Sequence, residues 1–496
     1  MTHLSRQRRM LVLGICCMSL LIVGLDTTIV NVALPSIHRA LNASVSGLQW
    51  TIDAYTLVLA SLLMLAGSTA DRIGRRRVFQ IGLAVFSLGS LLCGVAPSLG
   101  FLIAARVVQA IGGTMLNPVA MSIIRNVFED PRERAHAIGV WGAVFGLSMA
   151  LGPVVGGALV DAISWRAVFF VNVPIGLAAI ALTAMYVPES RAHRPRRLDP
   201  IGQLLVIVGL SALTFAIIEG PEAGWSSPQT IGVFVLAAVS LIGLVPYELH
   251  RSDPLIEMRF FRSAPLSGAS AIAILTFAGI GGFLFLNTLY LQTVRGLSPL
   301  HAGLYLLPMA AMIAIFAPIS GRILGSRGAR VPVVVAAVAI TAAAVMLTRL
   351  TATTSFAYLV VSYVLFGIGA GLVNPPITNT AMTGMPAAQA GVAGAVASTS
   401  RQVGMTLGVA VIGAVSAGAI TGALGGDFAS ATHAGWWIIV GLGVGIFVIG
   451  LLTTGSWAKR TARRAAENFE DHGHPVPHPA GATAPAPATE PAPVRS

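Results

Sequence analysis

The sequence predicts an all-α integral membrane protein with 14 transmembrane helices, built as two parallel six-helix repeats with two inserted helices between them. Only 10% of its 496 residues are charged and 55% are hydrophobic, whereas soluble globular chains carry about 25% charged residues. Apolar runs of about 20 residues, the length that crosses a bilayer core, recur along the chain. The second half also repeats short patterns of the first half at a nearly constant offset.

The predicted spans are numbered 1 to 14 along the chain. They lie near residues 10–35, 48–70, 78–97, 99–121, 136–160, 166–187, 201–218, 230–247, 264–292, 301–321, 331–348, 356–378, 403–423 and 434–457. Alternate loops, taken with the two termini and Arg401 ahead of span 13, hold 26 Lys and Arg, whereas the opposite loops hold 4. Positively charged loops stay in the cytoplasm. The chain is therefore predicted to lie in the cell (plasma or inner) membrane with both termini cytoplasmic.

Charge and cysteine usage argue against several other classes of protein. The net charge of +12 comes from short arginine clusters between apolar runs, so no basic stripe on a soluble domain predicts nucleic-acid binding. The three cysteines lie inside apolar runs and the histidines are scattered without metal-ligand spacing. No GxxxxGK[ST] phosphate-binding motif is present. The sequence predicts no enzyme, no metal and no ATP drive.

Four matches relate the two halves of the chain. The partners are separated by 254 to 257 residues in every match. The matches are Gly67 with Gly321, Asn31 with Asn287, Asn117 with Asn374, and residues 151–159 with 407–415. Spans 1–6 are therefore predicted to recur as spans 9–14. Because two inserted spans are an even number, the two repeats are predicted to be parallel. Transporters built from parallel repeats carry substrate near the bilayer midplane between the two halves, which rock around it.

The predicted domains follow from this repeat. They are an N-terminal six-helix bundle (1–190), two inserted helices with flanking cytoplasmic loops (191–263), a C-terminal six-helix bundle (264–458) and a cytoplasmic tail (459–496). The tail is rich in Pro and Ala after Asp471 and has little to bury, so it is predicted to be disordered. A monomer is favoured, and the expected partners are protons, a small amphipathic substrate and the bilayer.

Four short stretches carry a family resemblance. They read LDTTIVNVALP from Leu25, GSTADRIGRRR from Gly67, RVVQAIGG from Arg106 and GLSMALGPVVGG from Gly146. They resemble the first-span motif, the loop motif between spans 2 and 3, the fourth-span arginine motif and the fifth-span motif of the fourteen-span drug:proton antiporters of the major facilitator superfamily. The resemblance implies proton-coupled efflux of amphipathic drugs or antibiotics, cationic ones included, with the proton gradient as energy source and no cofactor.

Other functions stay open at this point. A dedicated exporter of an endogenous metabolite or antibiotic has the same sequence features as a multidrug pump. A proton-coupled importer is disfavoured by the intact GPVVGG stretch, and a channel has no need of a mobile proton site.

The loop motif is predicted to gate the transporter. Gly67 allows close helix approach, Gly74 permits a sharp turn, and Asp71 can contact neighbouring arginines or a helix N-terminus in one state of a rocking protein. The basic members of this gating set are Arg72, Arg75 and Arg76. Alternatively, the arginines only enforce topology. The second copy has Gly325 in place of Asp71.

The fifth-span motif is predicted to form a small-residue face for tight helix packing, with a bend at Pro153. Its members are Gly142, Gly146, Gly152, Pro153, Gly156 and Gly157. Ordinary helix packing and a role in the conformational cycle are both open. In the second half Val409 and Ile412 replace the proline and one glycine.

Three ionisable residues of the first six spans are predicted to lie at similar depth. Asp26 is 17 residues from Arg9, about 25 Å along a helix, which places it in the outer half of the membrane. Asp53 lies a few residues inside span 2 from the outer side, and Arg106 lies about seven residues, roughly 10 Å, inside span 4 from the same side. An aspartate at the centre of a span costs roughly 2.5–3.5 kcal/mol. Asp26 is therefore predicted to take a proton from outside and release it inwards, with Arg106 adjusting its affinity. Alternatively Asp26 and Arg106 form a fixed ion pair, and Asp53 is either a second proton site or solvated.

Amide side chains are predicted to line the substrate cavity. They are Asn31, Gln109, Asn117, Asn287 and Asn374. The alternative is that these amides form hydrogen bonds between helices. Glu219, near the outer end of span 7, is expected to be exposed.

Overall fold

Helices make up the regular structure of the protein. The computed structural model describes residues 5–192, 198–251, 254–383, 390–420 and 432–470, and in these ranges there are helices and no strands. A helix satisfies its backbone hydrogen bonds internally, which a bilayer core requires. The predicted all-α class is confirmed.

Thirteen helices in the described ranges are long and apolar enough to cross a membrane. They are α1 (Arg6–Leu41), α2 (Val45–Ile73), α3 (Arg75–Gly94), α4 (Leu99–Val127), α5 (Arg132–Ala162), α6 (Ala167–Tyr186), α7 (Pro200–Ala223), α8 (Pro228–Leu249), α9 (Ala264–Val294), α10 (Pro299–Arg327), α11 (Arg330–Leu347), α12 (Phe356–Met382) and α14 (His433–Thr453). A further helix, α13 (Ala390–Ile420), lies between α12 and α14. Each predicted span coincides with one of these helices, and fourteen crossings stay a prediction.

The start of α13 differs from its prediction. The helix begins at Ala390, 13 residues before the predicted start at 403. Ser, Thr, Arg and Gln between 398 and 402 lower the local hydropathy and conceal this first part of the helix. Arg401 was therefore wrongly assigned to a cytoplasmic loop, because it lies inside α13.

The tail prediction was wrong for its first residues. A last helix, α15 (Ser456–Glu470), covers residues 459–470. Ala458, Ala462 and Ala465 recur at helical spacing and are buried, so this segment does have an apolar face to pack. Residues 471–496 lie outside the described residues.

Glycines allow the closest helix pair of each half. In the N-terminal half, a Cβ at Gly156 of α5 would lie 2.7 Å from Ile29 Cγ1 of α1. In the C-terminal half, a Cβ at Gly408 of α13 would collide with the main chain of Ala278 in α9. Small residues permit such approaches between membrane helices. The two helix pairs occupy matching places in the predicted repeat, and the repeat itself stays a prediction.

The inserted helices lie against both halves. Gln203 Nε2 of α7 donates to Ser61 O of α2 (2.7 Å), and α7 also packs on α13. Trp50 Nε1 donates to Glu219 Oε1 (2.6 Å). Glu219 is therefore half-buried and hydrogen-bonded, so the expectation that it is exposed was wrong.

The two halves contact each other at one end of the helices. This is the end at which the α1–α2, α5–α6 and α9–α10 loops lie. Gln49 Nε2 of α2 donates to Val409 O (3.0 Å) and Ala410 O (2.9 Å) of α13. The backbone N–H of Leu300 in α10 donates to Asp161 Oδ2 of α5 (3.0 Å). These contacts place α2 against α13 and α5 against α10.

Candidate functional site

A buried ion pair joins α1 and α4. Arg106 Nη1 lies 2.5 Å from Asp26 Oδ2, and both side chains are at most 1% exposed. Gln109 Nε2 and Asn172 Nδ2 donate to the other oxygen, Asp26 Oδ1, at 2.8 and 3.1 Å. Sequence analysis predicted that Asp26 and Arg106 share a depth, and the structure brings them into contact.

The same arginine also contacts α2. Arg106 Nε donates to Thr51 O (3.1 Å), and its guanidinium lies 4.2 Å from the centre of the Tyr55 ring. Arg106 Nη1 also donates to Gln109 Oε1 (2.7 Å). Arg106 therefore connects the carboxylate of α1 to the first turns of α2.

Two further polar residues of this network were missed by sequence analysis. Asn172 of α6 and Gln109 each donate to Ser90 Oγ of α3 at 3.1 Å, and Ser90 donates to Phe169 O (2.8 Å). Asn172 is the only amide in the apolar stretch 167–182, which is a signal that could have identified it. A serine such as Ser90 is common in membrane helices and gives no such signal.

The network suits an ionised carboxylate. Both oxygens of Asp26 accept hydrogen bonds from N–H donors. A protonated carboxyl group needs an acceptor for its own hydrogen, so protonation of Asp26 requires a rearrangement that brings an acceptor to it.

Asp53 of α2 has a very different environment. Its side chain is 0% exposed, so the alternative that it is solvated at the span end was wrong. Thr56 Oγ1 donates weakly to Asp53 Oδ1 (3.4 Å), while Oδ2 has no hydrogen-bond partner and no cation lies beside the group in the described ranges. A buried polar group without partners is costly.

The position of Asp53 on α2 faces the opposite half of the protein. Thr51 and Tyr55 lie on the side of α2 that contacts Arg106, and Asp53 falls about 160–200° around the helix from them. Thr406 Oγ1 of α13 donates to Thr56 Oγ1 (2.8 Å). Helix α2 is therefore held by the ion-pair network on one face and meets α13 on another.

The loop motif forms contacts inside the N-terminal half. Arg75 Nη2 lies 2.9 Å from Asp71 Oδ1, and Gly74 joins α2 and α3 with a φ of +128°. Glu189 after α6 accepts from the backbone N–H of Arg76 (3.1 Å), and its Oε1 lies 2.7 Å from the position that a Cβ at Gly74 would take. Sequence analysis missed Glu189, because a single acid in a short loop carries no pattern.

Other members of the gating set are placed as follows. A Cβ at Gly67 would lie 3.8 Å from Pro118 Cβ of α4, which is an ordinary van der Waals distance, so the approach of α2 to α4 does not require a glycine there. Arg76 Nη2 donates to Ala184 O of α6 (2.5 Å). Arg72 also has an interaction partner. The contacts of Gly67 and Arg76 both lie within the N-terminal half.

The fifth-span motif divides into two parts. Gly152 and Gly156 pack on Thr28 and Ile29 of α1, and Gly157 packs on the main chain of α10 in the other half. Pro153 lies inside α5, and its carbonyl group contacts Gly303 of α10. By contrast, a Cβ at Gly142 or Gly146 would meet no atom within 4 Å, so these two glycines do not contribute to the predicted packing face.

The predicted cavity amides also divide. Asn287 is 0% exposed and accepts from Tyr363 OH (2.5 Å), while Asn31 is buried and donates to Thr27 O of its own helix (3.3 Å). Gln109 belongs to the ion-pair network. Asn117 and Asn374 are half-buried, and Asn117 Oδ1 has no hydrogen-bond partner in the described ranges. Only the last two have the exposure expected of cavity residues.

The C-terminal half places aromatic side chains at or beside the matching positions. Arg106 and Gln109, moved by the 257 residues that separate Asn117 from Asn374, correspond to Tyr363 and Phe366, and Asp26, moved by the 256 residues that separate Asn31 from Asn287, corresponds to Gly282, next to Phe283. Phe283 stacks on Phe366 with ring centres 4.4 Å apart and meets the edges of Tyr363 and Trp436. The described residues therefore form a charged network in one half and an aromatic cluster in the other.

Arg401 is the charged residue of α13 that sequence analysis misplaced. Its guanidinium bonds Thr378 Oγ1 of α12 and lies 5.9 Å from the centre of the Phe277 ring of α9. Its Nε is buried without a hydrogen-bond partner, and no carboxylate lies beside it in the described ranges. An unpaired cation inside a membrane bundle is a candidate functional residue.

Long apolar helices with charged side chains buried among them are typical of a multi-pass membrane transporter. The sequence profile of the Major Facilitator Superfamily matches residues 16–409. The chain belongs to the major facilitator superfamily, and it is a transporter rather than an enzyme.

Individual proteins agree with this assignment. Multidrug resistance protein Stp of Mycobacterium tuberculosis is 40% identical over 400 residues, which are 81% of this chain and 74% of Stp. The tetracenomycin C resistance and export protein of Streptomyces glaucescens is 36% identical over 399 residues, 80% of this chain and 74% of that protein. A bacterial homologue of the human lysosomal transporter Spinster, solved inward-facing and unoccupied, has a TM-score of 0.60 at 19% identity and covers 94% of this chain and 98% of its own. The last likeness concerns the fold alone, whereas the first two confirm the resemblance found in the sequence.

Proposed function

We propose that this protein is a proton-coupled efflux transporter of amphipathic drugs or antibiotics that works by alternating access, with fourteen crossings and both termini in the cytoplasm. The observation that carries the proposal is the buried carboxylate of Asp53, which among the described residues has one weak hydrogen bond from Thr56 and no counter-ion, on a helix whose Thr56 contacts α13. The relatives named for multidrug resistance and for tetracenomycin C resistance and export support efflux as the direction of transport.

The state described here corresponds to a transporter closed on the outer side. The contacts of Gln49 with α13 and of Leu300 with Asp161 lie at the helix ends that the loop charges assign to the outside. Tight glycine contacts between α5 and α10 lie at the same level. Opening this side requires α2 to leave α13, which separates Thr56 from Thr406.

Asp53 and Asp26 have different protonation states in this arrangement. Asp53 carries a proton, because neutralisation removes a buried charge that has no counter-ion among the described residues. Asp26 is ionised, because its three donors suit a carboxylate. Separation of α2 from α13 wets Asp53 and lets it exchange its proton with the outside.

Arg106 links the two carboxylates mechanically. It holds Asp26 with one nitrogen and the main chain of α2 with another. Movement of α2 therefore displaces Arg106 relative to Asp26. When the two side chains separate, Asp26 can also bind a proton. If Asp26 and Arg106 stay in contact in both states, Asp26 has a structural role and Asp53 carries the proton without it.

The gate and the cavity follow from the same arrangement. In the opposite state Asp71 exchanges its bond with Arg75 for a contact with the C-terminal half. The half-buried Asn117, Asn374 and Arg401 line the cavity and hydrogen-bond polar groups of the substrate. A dedicated exporter of an endogenous antibiotic uses this same site, and breadth of substrate distinguishes it from a multidrug pump.

Drug-dependent proton movement in everted vesicles tests the proposal. Addition of a transported dye to acidified vesicles is expected to release protons from their interior with the wild type. Asp53→Asn abolishes this release, and Asp26→Asn reduces or abolishes it. Glu222→Gln, the same type of change at an exposed outer position, leaves it intact. Equal proton release by the wild type and by Asp53→Asn would contradict the proposed coupling.

A further inference from the structure

A basic surface surrounds the end of the last membrane helix. We define it by six exposed cations on α15 and on the short helix that precedes α9. They are Arg259, Arg262, Lys459, Arg460, Arg463 and Arg464. The acids nearby are Glu257, which lies 3.8 Å from Arg259 Nε, and Glu467, so cations outnumber acids on this surface.

The fold places this surface at the level of the bilayer surface. Helix α14 ends at Thr453 and α15 begins at Ser456, so two residues separate a membrane crossing from α15. The backbone N–H of Ala264, at the start of α9, donates to Thr461 Oγ1 of α15 (3.0 Å). Helix α15 is therefore fixed where two apolar helices reach the membrane boundary.

Helix α15 has one face buried against the protein and another that is exposed. Ala458, Ala462 and Ala465 are buried against the protein. Trp457, Arg460 and Arg464 follow an i, i+3, i+7 spacing and form a separate stripe, and Trp457 is 56% exposed. Tryptophan is enriched at membrane interfaces, where its ring lies among the headgroups, and a basic stripe next to it attracts anionic lipid.

The geometry points to a lipid-binding role for this basic surface: it binds the phosphodiester headgroups of anionic phospholipids in the adjacent leaflet, with Trp457 inserted between them. Loop topology alone explains an excess of arginine on one side of a membrane. It does not explain why the cations sit on an ordered amphipathic helix with an exposed tryptophan in the same stripe. The inference is independent of the proposed proton coupling.

Fluorescence quenching by brominated lipids tests this inference on the full-length protein in lipid vesicles. Brominated phosphatidylglycerol and brominated phosphatidylcholine are compared at equal mole fraction, and Trp457→Phe identifies the share of quenching that comes from Trp457. We expect that share to be several-fold larger with brominated phosphatidylglycerol, and raised salt to remove the difference because headgroup attraction is screened.

A matched pair of triple variants supplies the control. Arg460→Gln, Arg463→Gln and Arg464→Gln together should bring the quenching by the two lipids to equality. Arg322→Gln, Arg327→Gln and Arg330→Gln, which remove three exposed cations at the α10–α11 turn, should retain the preference. Both variants are checked for helix content and monodispersity beforehand, and single substitutions replace a triple variant that fails to fold.

Three outcomes overturn the inference. Quenching that Trp457→Phe leaves unchanged shows that Trp457 does not reach the lipid. Equal quenching by both lipids in the wild type shows no anionic selectivity. Loss of the preference on addition of inorganic phosphate, but not of chloride at equal ionic strength, shows a site for free phosphate rather than for a lipid headgroup.

Discussion

Asp26 and Arg106 form a buried ion pair with 2.5 Å between Oδ2 and Nη1, and Arg106 simultaneously donates to Thr51 O of the neighbouring helix. The pair is thus both an electrostatic centre and a connection between α1, α2 and α4. Removing one partner of the ion pair and replacing both partners should therefore have very different effects on the free energy of unfolding.

Arg106→Ala should lower the free energy of unfolding by about 3–5 kcal/mol, because it leaves the Asp26 carboxylate buried without its cation. The double variant Asp26→Asn with Arg106→Met should recover much of that loss. Unfolding in detergent, followed by tryptophan fluorescence, gives both values. Equal losses for the single and double variants would mean that the cost arises from packing of the arginine and not from an unpaired charge.

Gly152→Ala should destabilise the contact between α1 and α5 by about 1–3 kcal/mol, as added methyl groups do in packed interiors. The new Cβ would collide with Thr28 Oγ1. Gly146→Ala, six residues earlier in the same helix, meets open space and should be neutral or slightly stabilising. Thermal unfolding of the two purified variants makes the comparison, and similar melting temperatures would contradict the packing described here.

Gly74→Ala should cost about 1–3 kcal/mol through backbone strain, because φ is +128° there. The added Cβ also meets the Glu189 carboxylate at 2.7 Å. Combining it with Glu189→Ala relieves the collision but not the strain, so the double variant should recover only part of the loss. Gly325→Ala, in the second copy of the motif, meets open space and serves as the control for both melting temperature and dye transport.

Arg401→Met should leave the free energy of unfolding unchanged or higher, since it removes a half-buried cation that has no carboxylate partner among the described residues. Transport should fall about tenfold or more if the guanidinium binds a polar group of the substrate, because a charged hydrogen bond contributes about 1.5–3 kcal/mol. Dye efflux from cells measures the effect. Arg349→Met, at an exposed loop position, is the control, and full activity of Arg401→Met would remove Arg401 from the cavity.

Much of this architecture could be predicted because a bilayer imposes length and polarity on each crossing. Depth along a helix was equally predictable, and it placed Asp26 near Arg106. Rotation about the helix axis was not, because it depends on packing with distant helices. For that reason the burial of Asp53, Asn287 and Gln109 emerged only from the structure.

Three other features, Arg401, helix α15 and Glu189, were not predicted correctly, each for a different reason. Arg401 was misplaced because Ser, Thr and Gln around it resemble a loop. Helix α15 was missed because alanines, and not large apolar residues, form its buried face. Glu189 acts through the geometry of Gly74, which no local sequence pattern encodes.

The central claim is that Asp53 carries a proton while α2 rests on α13. Proton release on substrate binding, measured with the purified protein in weakly buffered detergent solution, tests it most directly. The account predicts that a transported dye releases protons from the wild type and from Glu222→Gln but not from Asp53→Asn. Proton release by Asp53→Asn equal to that of the wild type would contradict it.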